Sequence, residues 1–296
     1  MTSTMNESTD SSEPLPSIHS PPIPAITPIP ATMDLITNSC LDVPDAAKYI
    51  GSTTSGITRI INRVKASTIK DTKYVKFTNV SPEVARGTDI KATRNFYDLQ
   101  TRCMIITVPG LPHEQAIGEL NTIMAIQSTI SNLSIRNIAT GRRTGQSSSK
   151  EPDSQWTPRN GRRAWPTVVL EAGYSESQQK LQCDAAWWIA NSRGAVKLVI
   201  TMAIDKRQPQ IIIKCIVRDN NNLPGRNLRS RYYTTTRQQL TITRHRNTVT
   251  TQPAAPLRIT VPEIMGRPPL QGETDILVPV PRLEELAAFV WLEQEI

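Results

Sequence analysis

The chain contains no run of about 18 consecutive apolar residues and no cationic segment followed by an apolar stretch near its start, so the sequence predicts neither membrane spanning nor secretion. The cytosol or the nucleus is the expected location. Cysteine is sparse: Cys40, Cys103, Cys183 and Cys215 stand far apart with no C-x-x-C pair, which argues against a zinc site and against a disulfide framework. They read as reduced thiols. Positive charge is missing from the beginning, since no Lys or Arg precedes Lys48 while Glu7, Asp10, Glu13, Asp34, Asp42 and Asp45 do. Of 34 basic and 26 acidic side chains, the remainder therefore holds 34 against 20, a surplus of +14 where the whole chain shows +8. Such an excess suits a polyanionic partner such as nucleic acid, and is equally common on proteins without one.

With 296 residues and 38% apolar content, one substantial core is expected. Residues 1–42 are rich in Ser, Thr and Pro and lack periodic apolar spacing, so a disordered tail is predicted there. Residues 43–296 then form a single domain that opens with a helical prelude over Val43 to Ser67, where Ile57, Ile60, Ile61 and Val64 recur at helical spacing. Tyr97 to Val108 reads as a strand stopped by Pro109-Gly110. In the following helix Ala116, Ile117, Leu120, Ile123, Met124, Gln127 and Ile130 share one face; His113 and Glu114 at its start read first as cap and surface.

Ser134 to Thr140 and Lys150 to Trp156 read as strands, and Thr167 to Glu171 as a buried strand that ends on a carboxylate. Gly173 then lets the chain turn, and Ser175 with Gln178 forms a capping box for a helix reaching Asn191. Gly194 ends that helix, and Val196 to Ile204 supplies a second apolar strand, parallel to the first because a helix crosses between them. Gln210 to Val217 and Gln238 to Thr243 add antiparallel strands, and Leu283 to Leu292 a closing helix. The predicted fold class is α/β, a mixed sheet whose central strands are flanked by helices. Trp187 and Trp188 lie on the helix flank that faces the sheet and read as core.

Asp153 and Glu171, eighteen positions apart on adjoining strand ends, are the minimal frame for holding a divalent cation through oxygen ligands. Together with this order of elements, three segments carry a resemblance: Ser149-Lys150-Glu151-Pro152-Asp153, the run Trp165 to Ser177 around Glu171, and Asp184-Ala185-Ala186-Trp187-Trp188. They resemble the PD-(D/E)XK nuclease-like superfamily, and within it a group of uncharacterised fungal proteins. The resemblance implies a restriction-endonuclease-like core in which Asp153 and Glu171 bind magnesium, with Glu114 as a further candidate ligand. It also implies a lysine two positions after the Glu, where this chain has Gly173. Lys180 on the next helix is the candidate replacement, or the i,i+4 partner of Asp184.

Arg136, Arg142, Arg143, Lys150, Arg159, Arg162 and Arg163 bracket the Asp153 edge, and of these Arg142, Arg143, Arg159, Arg162 and Arg163 are the candidate nucleic-acid contacts; Arg226, Arg229, Arg231, Arg237, Arg244 and Arg246 around Tyr232-Tyr233 form a second basic tract. Two functions follow. One is a magnesium-dependent nuclease acting on phosphodiesters, active or degenerate. The other is a catalytically inactive module on the same fold that binds nucleic acid or protein.

Overall fold

A computed structural model describes residues 30–43, 46–67, 70–174, 178–219 and 234–296. Its first half runs α1 (Pro30–Leu41), β1 (Ala47–Ile50), α2 (Thr54–Ala66), β2 (Lys73–Thr78), α3 (Pro82–Gly87), β3 (Arg94–Asp98), β4 (Cys103–Val108) and α4 (Leu111–Ile130). Short strands follow: β5 (Ile135–Asn137), β6 (Arg143–Thr144), β7 (Ser148–Lys150) and β8 (Ser154–Pro158). The second half runs β9 (Val168–Tyr174), α5 (Gln178–Asn191), β10 (Leu198–Ile204), β11 (Gln210–Arg218), β12 (Thr234–His245), β13 (Thr248–Gln252), β14 (Leu257–Ile259), α6 (Val261–Met265), β15 (Ile276–Val278) and α7 (Val280–Gln294).

A seven-stranded sheet has the order β13-β12-β11-β10-β9-β8-β5, a six-stranded sheet the order β1-β2-β4-β3-β7-β6, and β14 pairs with β15 alone. Both large sheets are mixed: β9 is parallel to β10 and β1 to β2, while their other pairings are antiparallel. The parallel pair β9 and β10 is covered on both faces, which is why both strands are almost wholly apolar. Val168, Leu170, Leu198 and Ile200 pack with Leu120 and Met124 of α4 and Leu286 and Trp291 of α7. On the opposite face Val169 and Val199 meet Trp187, Trp188 and Ile189 of α5, which also touch Phe96 and Ile105 of the six-stranded sheet. Helix α5 is thus clasped between the two sheets, with Trp187 and Trp188 edge to face at 5.0 Å. No helix of the described residues is long and apolar enough to cross a membrane.

Several expectations change. Helix α1 occupies residues assigned to the tail, and its Ile36, Cys40 and Leu41 are buried against α5; residues 1–29 lie outside the described ones. The single prelude helix divides in two. Ala47–Ile50 is an edge strand parallel to β2, in keeping with its Tyr49-Ile50, and Thr53 caps α2 by accepting the Gly56 N–H at 3.1 Å. The strand expected over Tyr97 to Val108 is a hairpin, because the Asp98 carboxylate accepts from the Thr101 N–H (2.7 Å) and hydroxyl (2.6 Å) and folds the chain back. Glu171 does not end its strand. Pairing with β10 continues through Gly173 and Tyr174, so the acid is internal to β9. The capping box at Ser175 falls on residues 175–177, outside the described ones.

Helix α1 therefore contributes to the fold. Ile36→Ala is expected to lower unfolding free energy by about 2–5 kcal/mol in urea titrations, as for other large-to-small changes in a core. A change near zero would return α1 to the status of a tail.

Candidate functional site

The link Glu151-Pro152-Asp153 carries the chain from β7 in one sheet to β8 in the other. Strand β8 pairs with β9 from Ser154↔Leu170 onward, and continuing that register by one residue sets Asp153 across from Glu171. Beyond this point no strand among the described residues pairs with β9 on that side, and side chains take over its hydrogen bonds. The Ala172 N–H donates to Asp153 Oδ2 at 2.8 Å, and His113 Nε2 donates to the Ala172 carbonyl at 3.1 Å. His113 Nε2 also lies 3.4 Å from Asp153 Oδ2, and Arg94 Nε 3.2 Å from Oδ1. Burial alone would raise the Asp153 pKa, but the charges of His113 and Arg94 and the Ala172 N–H outweigh it and hold the acid well below the ordinary carboxylate range. Burial would likewise strip the proton from His113; Asp153 and Glu114 reverse this and raise its pKa to about 10. His113 is 1% exposed and cationic, not the surface residue expected.

Glu171 points toward α5. It accepts a hydrogen bond from the Trp188 indole and lies 3.4 Å from Lys150 Nζ. Lys150 is closer to Asp184, at 3.0 Å, and Lys180 completes the group at 2.5 Å from the same acid. The shifts do not match those of a simple Lys150–Glu171 pair. Despite burial, Lys150 is raised, chiefly by Asp184 and then by Glu171, whereas Glu171 is itself raised, by burial that Lys150 only partly counters. Asp184 resolves this: nearer to Lys150 and also paired with Lys180, it stays ionised, with a lowered pKa, and leaves Glu171 undercompensated.

Asp153 and Glu171 line one cavity of about 30 Å³ with Arg94, His113, Lys150, Lys180, Glu151 and Asp184. The magnesium implied by the resemblance can be tested against that set. Four bases face four acids there, protonated His113 has no lone pair to give, and each oxygen of Asp153 already has a cationic neighbour. Among the described residues no group of three or more His, Cys, Asp or Glu side chains is arranged to hold a metal ion. A dication entering here would meet four fixed cations, with Glu171 the one acid left undercompensated. As arranged, the protein's own Arg94 and His113 stand beside the Asp153 oxygens where a magnesium ion would bind.

The other expected site residues divide. Lys180 lines the cavity and is the i,i+4 partner of Asp184. Glu114 does not line it, and sits 3.1 Å from Arg94 on the outer side. Arg142 is committed elsewhere: it bonds Glu151 and donates to the carbonyls of Ala85 and Thr88. Arg143 donates to the Arg142 carbonyl. Arg159, Arg162 and Arg163 are exposed but follow the far end of β8, five residues or about 17 Å from Asp153, so they cannot hold a phosphate at the acid pair. Arg226, Arg229 and Arg231 lie outside the described residues. Sequence reasoning puts Lys150 in a basic tract and His113 at a helix cap, and misses their place beside the acids and Arg94 altogether. The one signal was Lys150 in the motif beside Asp153; nothing in the spacing marked the other two.

The His113 shift fixes the sign of a pH dependence. Its folded pKa exceeds the unfolded value near 6.5, so the stabilisation is fully present below that pH and is lost as pH rises through about 10. Unfolding free energy is expected to fall across this window by up to about 1.4 kcal/mol per pH unit. His113→Asn should flatten the slope in urea titrations from neutral to alkaline pH; an unchanged slope would remove His113 as its source.

No protein-family model matches the chain. No curated protein matches it. Among solved structures, one described as a "putative nuclease belonging to DUF820" from Anabaena variabilis aligns with 66% of this chain and 90% of its own at 13% sequence identity and a TM-score of 0.36. A superposition that loose carries no argument about fold or chemistry.

Proposed function

We propose that the chain is a nuclease-like protein, related to the PD-(D/E)XK superfamily and to its fungal members, that binds nucleic acid without cleaving it. The carrying observation is the pairing of both acids with the protein's own cations: Asp153 with Arg94 and His113, Glu171 with Lys150. Hydrolysis would need those oxygens free for a cation that polarises the phosphodiester and generates hydroxide. The charge surplus after Asp45 supports a polyanionic partner.

One observation favours the second reading, magnesium-dependent hydrolysis. Lys150 stands 3.4 Å from Glu171 and supplies from β7 the basic group that Gly173 lacks. In that reading Lys150 steadies charge on the phosphate.

Incubation with magnesium or manganese and single- or double-stranded DNA or RNA separates the two. No cleavage above background is expected, together with binding whose affinity falls steeply as salt rises. Metal-dependent cleavage by the wild type that is abolished in Asp153→Ala, Glu171→Ala and Lys150→Ala would establish the hydrolase and defeat the first reading.

A further inference from the structure

A groove of about 700 Å³ runs between α4 and the edge strand β5, and no Asp or Glu is among its lining residues. Its rim carries Arg136 and Arg159, its wall Asn121 and Asn137, and its floor Leu133 and Ile135. The arginines are placed by strand register. Arg136 is paired with Thr157 on β8, and the Arg159 N–H bonds the Ser134 carbonyl, so Arg159 lies two residues beyond Thr157 on the same side of the ladder. Diagonal neighbours of this kind stand about 7–8 Å apart, the scale that separates successive phosphates along a nucleic-acid strand. Both arginines are exposed, and neither guanidinium makes an ion pair or hydrogen bond within the described protein.

The wall is fixed in place. Asn137 Nδ2 donates to Asn121 Oδ1 at 2.7 Å and to Ser154 Oγ at 2.8 Å, and Ser154 Oγ donates to Asn121 Oδ1 at 2.7 Å. Ser154 follows Asp153 directly, and its hydroxyl ties the Asn121 and Asn137 wall to β8. Two guanidinium forks, amide groups and an apolar floor, without an opposing acid, suit a chain of phosphates with bases attached.

We infer that this groove holds a single strand of nucleic acid, with Arg136 and Arg159 on consecutive phosphates. The inference rests on the nucleic-acid reading above and gives that reading a location. Its test is fluorescence anisotropy of short labelled oligothymidylate and oligouridylate over a range of salt, with the full chain, with Arg136→Gln/Arg159→Gln, and with Arg59→Gln/Arg63→Gln, which removes equal charge from the exposed side of α2. The groove variant is expected to bind about tenfold more weakly or worse. The slope of log affinity against log salt should drop by about 1.4, two contacts at about 0.7 each for single strands, while the α2 variant behaves as wild type. A groove variant that binds as wild type does, or equal weakening in both variants, overturns the groove and leaves nucleic-acid binding standing. A wild-type chain that binds neither oligonucleotide at low salt overturns both.

Discussion

The site depends on how β9 satisfies its backbone at Ala172, where β8 no longer runs beside it. A buried N–H or C=O left without a partner costs about 1–3 kcal/mol, so something must replace the missing strand. Here the replacements are the Asp153 carboxylate and the His113 ring. That choice brings an ionised acid into the interior, and the acid in turn requires Arg94 and a protonated His113 beside it. Sheet geometry and electrostatics are therefore one problem at this point. The acid that resembles a metal ligand also serves as a surrogate strand.

Residues 171 and 172 are consecutive in a strand and so face opposite sides of the sheet. The Asp153 group, with Arg94 and His113, and the group formed by Glu171, Lys150, Asp184 and Lys180 nevertheless border one cavity. Each collects acids and bases from several elements, which is how buried charge is tolerated. Breaking either group by removing one member leaves its partner uncompensated, a larger perturbation than the pair's net worth. Activity losses in such variants consequently need a folding measurement beside them.

What the sequence made legible was local and periodic. The β9-α5-β10 unit, the apolar stripe of α4, the helix α7 and the core role of Trp187 and Trp188 follow from apolar spacing and from runs bounded by glycine, and the structure has all of them. The hairpin of β3 and β4 was missed because its turn is made by the Asp98 side chain and not by glycine or proline. The strand β1 was missed because four residues are too few to show a period. Within the site, Asp153 and Glu171 were found through their motifs, but the bases that neutralise them were not. Arg94 and His113 reach Asp153 from distant parts of the chain, and no spacing rule registers a contact made only by tertiary packing.

Glu151-Pro152-Asp153, the joint between the two sheets, has a consequence for how the chain tolerates insertion and deletion. Connecting segments ordinarily accept such changes with little effect. This one is tied down on both sides: Glu151 bonds the Asn95 and Arg142 side chains, Asp153 bonds Ala172, and Pro152 restricts the backbone between them. Because strand side chains alternate, one added or deleted residue here rotates Asp153 away from β9 while β7 and β8 keep their places. The joint is thus a ruler: its length in residues, more than their identity, sets the distance between lysine and acid.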